Sequence, residues 1–338
     1  MKIRNIVLIA VSTIGLCASV AWAAFPADPV GKCAPDAVPV GPVCVDKYEA
    51  SIWQIPAASL TTSSGKGLIK KIQKGKAKLS ELGAAGATQL SPSSSCSPSF
   101  DSTFPYTGNW TPGAGTNPPT PGIYAVSVAG VHPTACVSWF QAAQACRLAG
   151  KRLLTNAEWQ DAAAGTFDPG SNNGTTNSKC NTSGADVRNT GSAGGTAGAT
   201  DSCISNWGAQ DMVGNVAEWV ADWGPLADDC TDWTSETGIP GGDYSCMGNL
   251  GSASSLYHIP GALVRGGAWF DGSLAGVFAV DGSDDPSDST PSGSGARVSP
   301  IFVGPLALCA LASRGWAGVC LPVRPRDAAR MMVRQLVT

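Results

Sequence analysis

The residues best suited to chemistry lie in Asp211-Met212-Val213-Gly214-Asn215-Val216-Ala217-Glu218, where two carboxylates bracket a short run with a glycine at its centre. Hard Ca²⁺ takes six to eight oxygens from carboxylates and backbone carbonyls together, and such a segment can supply both kinds. The same acids could also cap turns and satisfy backbone donors. A second stretch, Val264-Arg265-Gly266-Gly267-Ala268-Trp269, runs a strand into a glycine pair, which permits close backbone approach and fits the floor of a pocket. Beyond it, Trp269, Phe270, Asp271, Ser273, Leu274, Phe278, Asp281, Ser283, Asp284 and Asp285 mix aromatic anchors with short polar and acidic groups. That composition suits ligand contact, and equally a solvent loop.

Other chemistries lack their parts. Only two histidines occur, His132 and His258, so a 2-His-1-carboxylate site is not expected and each is read as structural or surface. No nucleophile-elbow sequence accompanies them to form a Ser-His-Asp triad.

The elements that must position these segments are short. Pro42 to Ala50 alternates apolar and polar residues as a strand does. Val137 to Ala149 has the spacing of a helix, with Gly150 as its stop, and Thr155 with Glu158 makes a capping box for a second helix whose Trp159 is expected against the first. Lys66 to Lys78 holds six lysines and is read as a solvated helix or loop rather than a polyanion contact. Residues 91–121, with Tyr106 and Trp110, form a low-complexity surface insertion, and Phe167 to Ser205 a long polar loop. Trp207, Trp219, Trp223 and Trp233 are expected in the core of a loop-rich domain.

Lys2, Arg4, the apolar run Ile6 to Val20 and Ala21-Trp22-Ala23 have the pattern of a secretory signal peptide over residues 1–23. The run is short for a membrane span, so a secreted or periplasmic chain without stable membrane insertion is expected. A net charge of −3 gives no drive toward nucleic acid. Export would allow disulfides, and Cys33 with Cys44 and Cys180 with Cys203 are close enough in sequence to pair. Eleven cysteines outside the signal segment is an odd count. Composition by itself specifies an exported, loop-dominated α+β domain.

Taken in order, Val137-Ser138-Trp139-Phe140 leading to Gly150-Lys151-Arg152-Leu153-Leu154-Thr155-Asn156-Ala157-Glu158-Trp159, then Asp211 to Trp219, then Val264 to Trp269, resemble the sulfatase-modifying-factor family, whose best-known member is the formylglycine-generating enzyme. The resemblance runs from about Val43 to about Pro291 and implies a C-type-lectin-like α+β fold over residues 24–291. Carried over by position, it implies structural calcium held by the Asp211 side chain, the Gly214 and Val216 carbonyls and the Glu218 carboxylate. It also places Trp269 to Asp285 on the face that forms the catalytic cleft in the enzymes. The oxidase members keep a copper-binding cysteine pair just after Arg-Gly-Gly, whereas this chain reads Trp269 to Phe278 there without a thiol, so copper is not expected.

The resemblance therefore implies a non-catalytic, calcium-stabilised binder of a protein or carbohydrate, with Trp269, Phe270, Asp271, Ser273, Leu274, Phe278 and Asp281 as ligand contacts. The same segment is similar to variable proteins diversified by retroelements, which bind ligands on this face. The alternative is an oxidase converting a sulfatase cysteine to formylglycine. Relatives end in a Gly-Phe-Arg-Cys strand that is absent here, and helix-to-last-strand bridges in such folds imply that Cys146 would reach the missing cysteine. Residues 292–338 contain no Lys, no Glu and a single Asp, and are read as a tail shifted in frame near Pro291, unpaired with the core.

Overall fold

Gly41, with φ of +51°, breaks the N-terminal apolar run into a hairpin, β1 (Ala37–Val40) and β2 (Val43–Asp46), and β3 (Ala50–Ile55) follows. The stretch read as one strand, Pro42 to Ala50, holds β2 and the first residue of β3. A computed structural model describes residues 32–90, 122–167, 180–191, 203–226, 243–246, 260–287, 297–298 and 301–302. The signal segment, the 91–121 insertion, His258, Trp233 and most of the tail lie outside the described residues. The Cys33–Cys44 disulfide closes the hairpin, and Cys180–Cys203 closes the long polar loop. Cys136 is disulfide-bonded too, while Cys146 is a buried free thiol whose expected partner is absent from the chain.

Three helices, α1 (Ala57–Leu60), α2 (Ser63–Ile72) and α3 (Leu79–Ala84), lead into β4 (Thr88–Leu90). The α2 lysines are exposed while Leu68 and Ile72 are buried, as expected for a solvated amphipathic helix. β3 sits between β4 and β5 (Gly122–Ser127), antiparallel to both. Against it packs α4 (Trp139–Leu148), which begins at a Ser138/Gln141 capping box and buries Ala142, Ala145 and Cys146 with Ile52, Ile123 and Trp219. Gly150, at φ +76°, follows the helix as read from sequence.

The second helix, α5 (Asn156–Ala163), has the Thr155/Glu158 box, and Arg152 clamps the Glu158 carboxylate at 2.8 and 2.9 Å. Trp159 is fully buried, but not in the cluster formed by α4: it packs with Leu154, Met212, Val220 and Leu263. The expectation of helix-on-helix burial is therefore corrected, because α5 faces the second sheet. That sheet has the order β10-β6-β8-β9-β7, from β6 (Glu218–Pro225), β7 (Ser245–Cys246), β8 (Pro260–Arg265), β9 (Val280–Asp284) and β10 (Arg297–Val298). Trp219 is core, but Trp207 and Trp223 are 43% and 39% exposed, contrary to expectation. The Trp207 indole is held at the surface by the Asp161 carbonyl, and Trp223 stacks edgewise on Trp139.

The tail is also corrected in part. β10 pairs parallel with Glu218 and Trp219, and β11 (Ile301–Phe302) pairs antiparallel with Val45 and Cys44. These backbone pairings extend two sheets past Pro291. Among the described residues no helix is long and apolar enough to cross a membrane.

Buried charge locks the hairpin to the rest. The Lys151 ammonium, 1% exposed, contacts Asp36 at 2.8 Å and Asp46 at 2.7 Å. Burial opposes its charge, yet the two carboxylates outweigh that and hold its pKa above the ordinary lysine value. These two ion pairs join Lys151, shortly after α4, to the residue before β1 and the last residue of β2.

Candidate functional site

Three left-handed residues, Asp211, Gly214 and Asn215 at φ of +61°, +74° and +61°, fold the Asp211 to Glu218 segment into a tight loop. A side chain at Gly214 would meet the Asn181 carbonyl oxygen at 2.4 Å, so only glycine fits there. The Asn215 side chain anchors the loop, accepting from Asn181 Nδ2 and the Arg188 amide and donating to Glu49. Asp211 and Glu218 are 5% and 1% exposed, and the Trp159 indole donates to one Glu218 oxygen. Two buried carboxylates in one loop are costly unless compensated by a cation or by hydrogen bonds, so the donor set suits a hard dication. Val216 itself is buried and its amide donates to Glu49.

The loop rests on the second motif. The Gly214 amide donates to the Gly266 carbonyl at 3.2 Å, and the Trp269 amide to the Asn215 carbonyl at 3.0 Å. Gly266 and Gly267, at φ +85° and +75°, turn the chain out of β8. A side chain at Gly266 would strike the Met212 carbonyl oxygen at 2.7 Å, and one at Gly267 the Ala275 Cβ at 2.6 Å. The glycines therefore permit the two motifs to touch.

Beyond the turn lies a cavity of about 200 Å³, whose polar lining among the described residues is Arg265, Asp271, Asp281 and Tyr244 and whose apolar walls include Val264, Leu274 and Ala279. Of the ligand contacts expected from sequence, Asp271, Leu274 and Asp281 line it. Trp269, Phe270, Ser273 and Phe278 do not. Trp269 and Phe270 pair edge to face at 5.0 Å, Ser273 lies in a 3-10 turn, and the Phe278 ring is 40% exposed while its amide donates to Asp243. Asp284, expected at the surface, is 5% exposed, since alternation along β9 turns it inward.

Electrostatics distinguish the lining groups. Arg265 is 4% exposed, and its two terminal nitrogens are turned onto Gln160 and the Val277 and Phe278 carbonyls. Its guanidinium lies 4.4 Å from the Trp159 ring centroid, and burial lowers its pKa to about 10 against the opposing pull of Asp243. Burial raises the Asp271 carboxyl, which accepts from the Ala268 amide at 2.7 Å. Burial also raises the Tyr244 phenol, reinforced by Asp281, Asp284 and Asp271. Sequence reading missed Tyr244. It reaches the cavity because β7 pairs parallel with β9 through Ser245 and Val280, and nothing local in the Asp243 to Cys246 segment marks that pairing.

Comparison with known proteins follows this geometry. Residues 44–299 match the Sulfatase-modifying factor enzyme 1-like domain. The chain is 39% identical over 102 residues to a formylglycine-generating enzyme of Thermomonospora curvata, covering 27% of this chain and 34% of that protein. It is 32% identical over 133 residues to the formylglycine-generating enzyme of Bos taurus, covering 34% of this chain and 36% of that protein. The chain thus spans about a third of the length of these curated relatives. Among solved structures, the M1 and P3c variants of the Major Tropism Determinant align at 25% and 24% identity, each with a TM-score of 0.33 over 48% of this chain and 37% of theirs.

Proposed function

The chain belongs to the sulfatase-modifying-factor family, and from that premise we propose that it is an exported, calcium-stabilised, non-catalytic ligand-binding protein, of the kind diversified by retroelements, whose ligand sits on the Trp269 to Asp285 face. The observation that carries this reading is the cavity beyond Gly266 and Gly267. It is lined by carboxylates, a phenol, a guanidinium and apolar side chains, and the sequence from Met247 to Leu308 contains no thiol. Copper(I) oxidase chemistry wants soft thiolate, which Asp271 and Ser273 do not supply. Calcium, when bound, would offset the buried charge of Asp211 and Glu218, with the Gly214 and Val216 carbonyls as further donors, and would hold the loop on which the Arg265 turn rests. The disulfides suit an oxidising compartment.

The names of the curated relatives favour a second reading, an oxidase that converts a sulfatase cysteine to formylglycine. Oxygen consumption measured with Cu(I) and a sulfatase-motif peptide separates the two. No turnover, with calcium raising the melting temperature, is expected; peptide-dependent oxygen uptake would establish the oxidase instead.

A further inference from the structure

We propose that the cavity beyond the Arg265 turn takes an aliphatic primary ammonium, the chemistry of a lysine side chain, whose N–H groups are shared among Asp271, Asp281 and Tyr244. This rests on the ligand-binding reading above and names the chemistry of its site. All three residues line the same space. Asp271 spends one oxygen on the Ala268 amide, and Asp281 spends one on the amide and hydroxyl of Ser283. The second oxygen of each and the Tyr244 hydroxyl have no hydrogen-bond partner among the described residues, and none of these atoms is sealed from solvent. The cavity therefore presents two carboxylate oxygens and a phenol that a ligand can reach.

Negative charge in this space has no counterpart among the described residues. Burial raises the Asp271 carboxyl, and the Asp281 carboxylate adds to that against the Ala268 amide; the Tyr244 phenol is raised by burial and then by Asp281, Asp284 and Asp271. No cationic side chain of the described residues acts on either group. Arg265 borders the cavity, but its terminal nitrogens are spent on Gln160 and the Val277 and Phe278 carbonyls, and Asp243 is the carboxylate that favours its charge. Carboxylates that repel in a partly enclosed site are both stabilised by a cation placed between them.

The kind of cation follows from the oxygens. Two single carboxylate oxygens and a phenol fall short of the six to eight oxygens calcium takes, and among the described residues no three His, Cys, Asp or Glu side chains gather as metal ligands. A guanidinium fork fits both oxygens of one carboxylate, whereas here one oxygen of each is already spent. An ammonium has three N–H groups pointing apart and meets three separate oxygens. Val264, Leu274 and Ala279 give apolar surface for its alkyl stem, and about 200 Å³ is the scale of one side chain rather than of a drug-sized ligand.

The test uses the full chain with butylammonium and Nα-acetyl-lysine methylamide as ammonium probes, Nα,Nε-diacetyl-lysine methylamide as their uncharged counterpart, and Nα-acetyl-arginine methylamide as the guanidinium. Calorimetric titration and saturation-transfer NMR are expected to show saturable binding of an ammonium probe, at least about tenfold tighter than the uncharged and guanidinium probes. Asp281→Asn, which keeps an oxygen for Ser283, should weaken it about tenfold and Tyr244→Phe about threefold, both with the melting temperature unchanged. Tighter binding of the lysyl probe than of butylammonium would make a protein side chain the source, and equal binding a free amine; both support the proposal. Failure of both ammonium probes, equal binding of the uncharged probe, preference for the guanidinium, or an affinity indifferent to Asp281→Asn overturns it. A neutral or guanidinium probe bound instead, and lost in Asp281→Asn, would leave the ligand face standing and reject only its chemistry, whereas oxygen uptake with the sulfatase-motif peptide would reject the underlying reading.

Discussion

Lys151 and Arg265 are both buried cations placed where strands meet, yet their surroundings differ. Lys151 contacts the carboxylates of both Asp36 and Asp46, buried between the first hairpin and α4. Arg265 is held by neutral carbonyls and an indole face, with Asp243 as the carboxylate that favours its charge, and its Nε has no hydrogen-bond partner among the described residues. Around Lys151 two carboxylates share one cation inside the fold. On the Arg265 side, Asp271 and Asp281 line an open cavity, and Phe270, Leu274 and Phe278 are exposed. The first region encloses its charged groups within the fold; the second sets carboxylates along a cavity, as a binding site must.

The largest effect should come from breaking the closed region. Lys151→Met leaves two buried carboxylates without their cation and is expected to cost about 3–5 kcal/mol. Urea denaturation measures it, and a loss below about 1 kcal/mol would mean the cluster is not what joins the hairpin to α4. Next is the loop beneath the open region. Chelation of calcium, or Asp211→Ala, should remove about 2–3 kcal/mol if the ion is near a hundredfold over its dissociation constant. An identical melting curve with and without chelator would remove calcium from the account.

A smaller effect is expected at the α5 cap. The hydrogen bond from Arg152, joined by those from Thr155, holds the Glu158 carboxyl well below its ordinary value, at about 2. A depressed carboxylate contributes stability that is present above its unfolded pKa and disappears as pH falls through its folded pKa. The contribution should therefore fade between about pH 4.5 and about pH 2. Glu158→Gln should cost about 1 kcal/mol at neutral pH, less at the acid end, since the group is partly solvated. A pH-independent difference between variant and parent would argue that the charge is immaterial. Smallest of all, Phe278→Ala, which truncates an exposed ring, should change stability by less than about 0.5 kcal/mol. If it unfolds the domain, the exposed aromatics belong to the frame and the contrast between the two regions collapses.

Legibility followed locality. Thr155 with Glu158, the Gly150 stop and the Cys33–Cys44 and Cys180–Cys203 pairs were readable because each concerns residues near in sequence, or thiols with few choices. The glycine pair was readable as a turn, since few other residues tolerate that backbone. Trp207 and Trp223 were read as core and are exposed, and Trp159 is buried as read but against the second sheet, because a tryptophan's neighbours depend on which sheet its element meets, and a helical period does not say which. The tail failed for a related reason: two-residue pairings such as Arg297–Val298 on Glu218–Trp219 leave no periodic trace.

What the sequence determined by itself was the family, the helix caps, the glycine turns and the absence of a thiol after Arg-Gly-Gly, all consequences of residue type and near spacing. Only the tertiary structure decided that Gly214 hydrogen-bonds to Gly266, that β7 carries Tyr244 alongside β9, and that Arg265 turns its terminal nitrogens inward while Asp271 and Asp281 line the same cavity. These groups are separated by long stretches of chain, and their meeting is set by sheet order and close packing at glycines, which no local pattern encodes.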